Sequence, residues 1–86
     1  SLKMQTYPNP NTDRFTVRFN LEKQEDVYLT IFDAKGKKVK SYKLENLSSG
    51  LNEVLVDSKT ISSGGTYTIS IETASEKATQ KIIINK

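Results

Sequence analysis

Alternation of apolar and polar residues is the strongest signal in this 86-residue chain. It is clearest over residues 14–21 and again over residues 66–72, where nearly every second residue is apolar. Such a period of two is typical of a half-buried strand. No stretch has the 3.6-residue apolar period of a helix. Further strands are predicted at residues 27–33, 38–44, 52–57 and 78–85, with a short seventh strand as a further option at 2–6.

Two of the predicted strands carry features beyond alternation. Residues 27–33 are apolar on both faces, which favours a central strand whose second face is covered or adhesive. Residues 38–44 alternate less regularly, which indicates a bulge or a change of face. Between the two strands, Gly36 supplies the positive φ that a tight reversal needs. The second strand also has lysines of the kind that protect a sheet edge from pairing with another chain: Lys38, Lys40 and Lys43.

Six strands separated by short polar turns predict an all-β fold. Their spacing of about 8–12 residues favours an antiparallel β-sandwich, and a small open barrel is the competing architecture. The length is that of one domain. Residues 1–6 are interpreted as the loosely held end of a linker, and the domain is predicted over residues 7–86. Residues 7–13 are predicted to turn, because prolines and Asx side chains cluster there.

The composition limits the chemistry that the chain can perform. It has no cysteine and no histidine, so we expect neither disulfides nor the usual base for a serine or threonine nucleophile, and no enzyme activity. The net charge of +3 favours solubility without implying nucleic acid. The longest apolar run, Ile82–Ile84, is too short to span a membrane. The chain begins at Ser1 without a leader, and we interpret it as a piece of a longer protein whose export signal lies upstream.

Three side chains near the start have the alternating oxygen spacing that opens some calcium-binding loops: Asn9, Asn11 and Asp13. The pattern then breaks, because Arg14 stands where such a loop has glycine and Asn20 where it has glutamate. Asx-turns account for the same residues. We therefore expect no metal and no cofactor.

Other charged residues receive structural interpretations. Asp33 and Asp57 lie at strand ends beside turns, where carboxylates cap the backbone, so we do not expect a catalytic carboxylate pair. The lysines of residues 35–43 would suit phosphates, but nucleic-acid binding also uses stacked aromatic rings, and the neighbouring one is Tyr42 alone. We expect a solvated hairpin beside a guarded edge, and no nucleic-acid partner.

Aromatic residues open an alternative function. Tyr28, Phe32 and Tyr42 would form an aromatic platform for sugar rings, as carbohydrate modules on sandwiches often do. The alternative is then a carbohydrate-binding or adhesive β-sandwich module that accompanies a secreted enzyme.

Several motifs occur in a familiar order along nearly the whole chain, from Tyr7 to Lys86. The likeness depends on their order rather than on any one of them. Together they resemble the C-terminal sorting domain of the type IX (Por) secretion system of Bacteroidota. The motifs are Tyr7-Pro8-Asn9-Pro10, Phe15-Thr16-Val17-Arg18-Phe19, Val27–Asp33 followed by Lys35-Gly36-Lys37-Lys38-Val39, Gly50-Leu51-Asn52, Ser63-Gly64-Gly65-Thr66-Tyr67 and Lys81-Ile82-Ile83-Ile84.

The resemblance implies a seven-stranded immunoglobulin-like sandwich behind an N-terminal cargo. The cargo and its domain would cross the inner membrane by the Sec route, and the outer-membrane translocon would recognise the domain in the periplasm. A sortase-like peptidase would then remove it, leaving the cargo on the outer-membrane surface or released. We expect a monomer that does not insert into the membrane. One docking hypothesis is strand addition to the terminal strand or binding at the outer face of residues 27–33.

The resemblance also implies a set of partner-recognition residues: Tyr7, Pro8, Asn9, Pro10, Gly36, Lys37, Gly65, Tyr67 and Lys81. The chain departs from the family pattern at three places. Residues 11–13 stand where a glycine is frequent, Thr66 stands where an apolar residue is usual, and Gly64 is an additional glycine. We expect Gly64 to loosen its turn.

Overall fold

The computed structural model of the chain describes residues 2–10, 13–61 and 63–86. These residues form seven strands and no helix, so the all-β prediction is confirmed. The strands are β1 (Gln5–Tyr7), β2 (Arg14–Leu21), β3 (Glu25–Phe32), β4 (Lys38–Leu47), β5 (Gly50–Asp57), β6 (Gly65–Glu72) and β7 (Lys77–Ile84).

The strands form two antiparallel sheets, with the orders β1-β2-β5 and β4-β3-β6-β7. The two sheets enclose one apolar core, so the sandwich is confirmed and the barrel alternative is not formed. Strands β2 and β5 lie in one sheet and β3, β6 and β7 in the other, which is an immunoglobulin-like arrangement. Strand β3 is central and β4 is an edge, as their sequences predicted.

The core follows directly from the alternation. The inward residues of β3 and β6, with Ile82 and Ile84 of β7, are at most 5% exposed, and they meet equally buried residues of β2. The inward residues of β4 are partly buried and pack against this core. Full burial of one such side chain contributes about 1.5–3 kcal/mol relative to exposure. Because strand side chains alternate between faces, shifting any of these strands by one residue would expose its apolar set. The core residues of the two sheets include Phe15, Val17, Phe19, Leu21, Val27, Leu29, Ile31, Tyr67, Ile69, Ile71, Ile82 and Ile84.

Strand β4 is longer than its sequence predicted. It continues to Leu47, whereas the predicted strand ended at residue 44. Its pairing with β3 shifts register at both ends, which confirms the predicted irregularity. At the shift near the end of β4, Asn46 has a φ of 53° and donates its backbone N–H to Asp26 Oδ1 at 2.9 Å. A side chain of the neighbouring strand therefore holds the bulge, and pairing continues beyond it between Glu25 and Leu47.

The expectation of a loose linker at residues 1–6 is wrong for residues 2–6. Leu2 is buried in the core, and its carbonyl accepts the N–H of Asn20 at 2.7 Å. Strand β1 pairs with β2 and includes Tyr7, which had been predicted to turn. The sequence understated this segment because three paired residues are too few to produce a visible alternation.

The sandwich has two distinct ends. One end contains residues 8–10, the hairpin at 33–37, the start of β6 and residues 85–86, and we call it the motif end. The far end contains the connections at 22–24, 48–49 and 73–76. The chain enters at the far end, where Leu2 bonds to Asn20, and β7 terminates at the motif end.

Candidate recognition surface

All nine residues singled out by the sequence lie at the motif end. They are distributed over the last residue of β1 and the turn after it, the β3–β4 hairpin, the start of β6 and the second half of β7. In sequence they are spread over 75 positions, from Tyr7 to Lys81. The antiparallel pairing brings them to one end of a molecule whose longest dimension is 36 Å.

The proline motif connects the two sheets. Tyr7 pairs with Thr16 on β2, and two cis peptide bonds follow, at Tyr7-Pro8 and Asn9-Pro10. Asn9 Oδ1 accepts the backbone N–H of Ile83 at 2.9 Å. Strand β1 belongs to one sheet and β7 to the other, so this bond attaches the motif to an edge of the opposite sheet.

The Tyr7 side chain lies on the outer face of the three-stranded sheet and is 42% exposed. Its hydroxyl donates to Glu53 Oε2 at 2.6 Å. This hydrogen bond to a carboxylate is the main reason why the pKa of Tyr7 is raised from its ordinary value. The ring is partly exposed on the surface beside this hydrogen bond.

The β3–β4 hairpin is held by one carboxylate. Asp33 Oδ1 accepts the backbone N–H groups of Lys35 and Lys37, both at 2.9 Å. Gly36 has a φ of 85°, as its sequence position predicted. Asp57 Oδ1 likewise accepts the N–H of Lys59 at 2.8 Å. Both aspartates are therefore turn caps, as expected.

Gly65 and Tyr67 build the strand beside β7. Gly65 has a φ of 144° and pairs with Ile84, and Tyr67 pairs with Ile82. The Tyr67 ring is buried, and its hydroxyl donates to the Ser63 carbonyl at 2.6 Å. These two residues support the backbone at the motif end, and neither presents an exposed side chain to a partner.

Gly64 does not loosen its turn, and this expectation is wrong. A Cβ at this position would lie 2.9 Å from both the Ile84 carbonyl oxygen and the Lys86 backbone nitrogen. Glycine is present because the end of the chain passes directly over it. The additional glycine in the sequence was the available signal, but only the fold shows which segment approaches it.

Exposed motif residues form the accessible part of the surface. Pro8 and Pro10 are exposed in the turn after β1, and Lys37 is exposed on the hairpin. Lys81 is exposed on β7, where it borders a shallow depression with Phe32 and Gly36. A partner that binds this end would contact these side chains and Tyr7.

The proposed three-ring sugar platform is not formed. Tyr28 is 47% exposed on the outer face of β3, and Phe32 shares that face. Tyr42 pairs with the inward residue Leu29 and packs against the core, so it points the other way. Successive side chains of a strand point to opposite faces, so Leu29 points away from Tyr28 and Phe32 on β3. Tyr42 lies opposite Leu29 and shares its face.

Across residues 2–10, 13–61 and 63–86 no three acidic side chains lie close enough together to hold a metal ion. Asn9, one of the three residues with calcium-like spacing, accepts the Ile83 N–H, and Asn11 lies outside the described residues. No helix suitable for crossing a membrane occurs in that part of the chain.

The fold defines a class of protein: an immunoglobulin-like β-sandwich in which motifs from distant parts of the chain meet at one end. The chain belongs to the family described as the secretion system C-terminal sorting domain, whose sequence profile matches residues 5–85. It is thus a sorting signal for type IX secretion and marks a secreted protein. This family is one of sorting signals and is not known for catalysis. A search of curated proteins finds no match to the chain.

Proposed function

We propose that this domain directs an N-terminal cargo through the type IX outer-membrane translocon for surface attachment or release. The cargo is carried in the same chain ahead of β1, so it leaves the sandwich at the far end. After Sec export the folded domain is recognised in the periplasm, and a sortase-like peptidase removes it at the cell surface. The domain itself is monomeric and does not insert into the membrane.

The convergence of nine motif residues at one end is the observation that supports this proposal. The chain enters at the opposite end, so a cargo there leaves the motif end accessible. Recognition of a rigid surface does not require a pocket, and a domain of this kind provides fixed side chains at low conformational cost. The exposed motif residues Tyr7, Pro8, Pro10, Lys37 and Lys81 are the contacts we assign to the translocon.

The sugar-binding alternative has no specific structural support. Its three aromatic residues do not share a face, and Lys43 Nζ already lies 5.8 Å from the centre of the Tyr28 ring. We therefore propose no carbohydrate function for this site.

A secretion assay tests the sorting proposal. A Sec signal and a fluorescent protein are fused ahead of the 86-residue chain and produced in a bacterium that has type IX secretion and in its translocon mutant. We expect fluorescence at the surface or in the medium only in the first strain. Retention in the periplasm of both strains would refute the proposal.

Two lysines of β7 provide a matched pair for locating the surface. Lys81 and Lys77 are both exposed on the same face of β7, but Lys81 is at the motif end and Lys77 is near the far end. We expect Lys81→Glu to reduce export severalfold and Lys77→Glu to leave it unchanged. Equal export of the two variants would show that the motif end is not the recognition surface.

A further inference from the structure

Charge is distributed unevenly between the two ends of the molecule. To compare the ends, we divide each sheet at its middle. In the four-stranded sheet the dividing line is the row of paired residues Ser41, Thr30, Ser70 and Thr79. In the three-stranded sheet the dividing line falls between Val17 and Arg18 of β2. The half towards the motif end has eight cations and three carboxylates, a net charge of +5. The other half has five cations and seven carboxylates, a net charge of −2, and together they make the chain's +3. The eight cations are Arg14, Lys35, Lys37, Lys38, Lys40, Lys59, Lys81 and Lys86.

The positive charge is concentrated beside a cleft. A cleft of about 410 Å³ lies between the start of β4 and the connection from β5 to β6. Lys37, Lys38 and Lys40 line it, and the single carboxylate among its lining residues is Asp33. That carboxylate already accepts two backbone N–H groups of its own hairpin. Three lysines therefore line the cleft, and Lys40 Nζ also lies 5.7 Å from the centre of the Tyr42 ring.

One wall of the cleft is the free edge of a sheet. Strand β4 is the outermost strand of its sheet, and among the described residues no other strand pairs with its outer side. An extended peptide can add to such an edge by pairing with its backbone N–H and C=O groups. Val39 is 39% exposed there and lines the cleft, so an apolar side chain of the peptide also finds a contact.

The lysines make this edge selective. A second copy of β4 would bring lysines opposite lysines, and like charges directly opposite each other are destabilising. A strand with glutamate or aspartate at those positions would instead form cross-strand ion pairs. The feature that protects the edge against self-association thus favours one class of partner.

We propose that this cleft docks an extended acidic segment of a protein of the secretion machinery, which adds as a strand to the edge of β4. The proposal rests on the sorting function for the identity of the partner, but not for the binding itself. The half of the domain with a net charge of +5 attracts the acidic partner. The domain therefore approaches the partner with its motif end first and its cargo on the opposite side.

A peptide fits the cleft better than other polyanions do. A single-stranded nucleic acid would stack its bases on exposed rings, whereas the one ring among the described lining residues, Tyr67, is only 5% exposed. A sulfated polysaccharide or an anionic membrane would use the lysines but not the alternating donors and acceptors of the β4 edge. Perturbation of the β4 backbone amides therefore distinguishes a peptide from these alternatives.

Binding is tested with the 86-residue chain and a short synthetic peptide of alternating glutamate and valine. We expect the peptide to bind at low salt, to weaken as salt is added, and to shift the β4 amide signals in NMR spectra. The same peptide with lysine in place of glutamate should not bind. A sulfated polysaccharide and vesicles containing anionic lipid are measured in parallel.

Charge-reversal variants locate the site. The double variant Lys37→Glu/Lys38→Glu should weaken peptide binding roughly tenfold, as expected for a few exposed ion pairs. The matched control Lys23→Glu/Lys77→Glu makes the same change in net charge at exposed positions of the other half and should bind like the unmodified chain. Lys37→Gln/Lys38→Gln, which introduces no repulsion, should give a smaller loss in the same direction. Thermal unfolding of each variant checks that it is folded.

Several results would overturn the proposal. They are failure of the acidic peptide to bind, binding without a change at the β4 amides, equal loss in the control variant, and binding of only the polysaccharide or the vesicles. In the secretion assay, export of the unmodified fusion together with equal export of Lys37→Glu/Lys38→Glu would also refute it. Failure of the unmodified fusion to be exported would refute the sorting function instead and leave the peptide measurement as the test of the cleft.

Discussion

Individual residues at the motif end serve the fold as well as any partner. Asn9 holds the backbone of Ile83, Asp33 holds two N–H groups of its hairpin, and the Tyr67 hydroxyl holds the Ser63 carbonyl. Such bonds stabilise by about 0.5–1.5 kcal/mol each, and their geometry fixes where the exposed neighbours point. A substitution here therefore changes the surface even when the replaced side chain never touches a partner.

Gly64 is the residue at which the smallest change should have a clear effect. Gly64→Ala would place a methyl group 2.9 Å from backbone atoms of Ile84 and Lys86, and backbone cannot move aside as a side chain can. An alanine would otherwise stabilise by about 0.4–1 kcal/mol through the unfolded state. We expect the clash to dominate, with a net loss of about 1–2 kcal/mol in the free energy of unfolding.

Urea denaturation measures this loss for Gly64→Ala. Lys59→Ala, an exposed change in the same connection, is the control and should lie within about 0.5 kcal/mol of the unmodified chain. A stabilised Gly64→Ala variant would show that the end of the chain does not pass over this glycine.

At the scale of elements, β7 is an edge strand held from several sides. Its inner side pairs with β6 along its whole length, from Lys77 to Ile84. Asn9 then bonds to it from the other sheet, and Lys86 Nζ donates to the Ser58 carbonyl at 2.8 Å just beyond its end. The terminal strand, an exposed edge in the topology, is thereby tied to three other parts of the chain.

The Asn9 bond can be removed without touching β7 itself. Asn9→Ala removes the acceptor of the Ile83 N–H, whereas Asn9→Asp keeps an oxygen in its place. We expect Asn9→Ala to lower the free energy of unfolding by about 1 kcal/mol and to speed hydrogen exchange at Ile83, with Asn9→Asp closer to the unmodified chain. Unchanged exchange at Ile83 in both variants would show that the bond does not hold the strand.

At the scale of the whole molecule, the two ends differ in charge and in the motifs that they contain. The far end contains Leu2 and belongs to the net negative half, and the motif end contains the nine motif residues and belongs to the net positive half. The dimensions of 36 × 22 × 18 Å separate them by more than the roughly 8 Å over which salt screens charges at physiological strength. Each end therefore acts on its surroundings almost independently of the other.

At the far end, the burial of Leu2 predicts that the cooperative fold includes residues 2–4. Leu2 is 3% exposed, and Leu2→Ala should lower the free energy of unfolding by about 2 kcal/mol or more because it leaves a cavity in the core. Gln5→Ala, an exposed change in the neighbouring strand, should have little effect. Denaturant unfolding distinguishes the two, and equal stability of both variants would mean that residues 2–4 lie outside the cooperative fold.

The accuracy of the sequence prediction varied with the length of each pattern. Long alternating runs placed β2 and β6 within one residue of their observed bounds, because eight residues with one buried face leave no freedom of register. The short strand offered as an option at residues 2–6 exists as β1, but at Gln5–Tyr7, because three paired residues leave too weak a periodic signal to set its bounds. The continuation of β4 past its bulge left no periodic signal and was not predicted. The Gly36 turn and the capping role of Asp33 were predictable because turn chemistry is local.

The sequence alone determined the all-β fold, the hairpin chemistry and the likeness to the sorting-domain family, because each depends on local spacing or on motif order. Only the tertiary structure decided that nine motif residues meet at one end, that Gly64 lies under the end of the chain, and that a net charge of +3 divides into +5 and −2. These properties depend on which distant residues become neighbours. Antiparallel pairing sets those neighbours through long-range register, which no local pattern records.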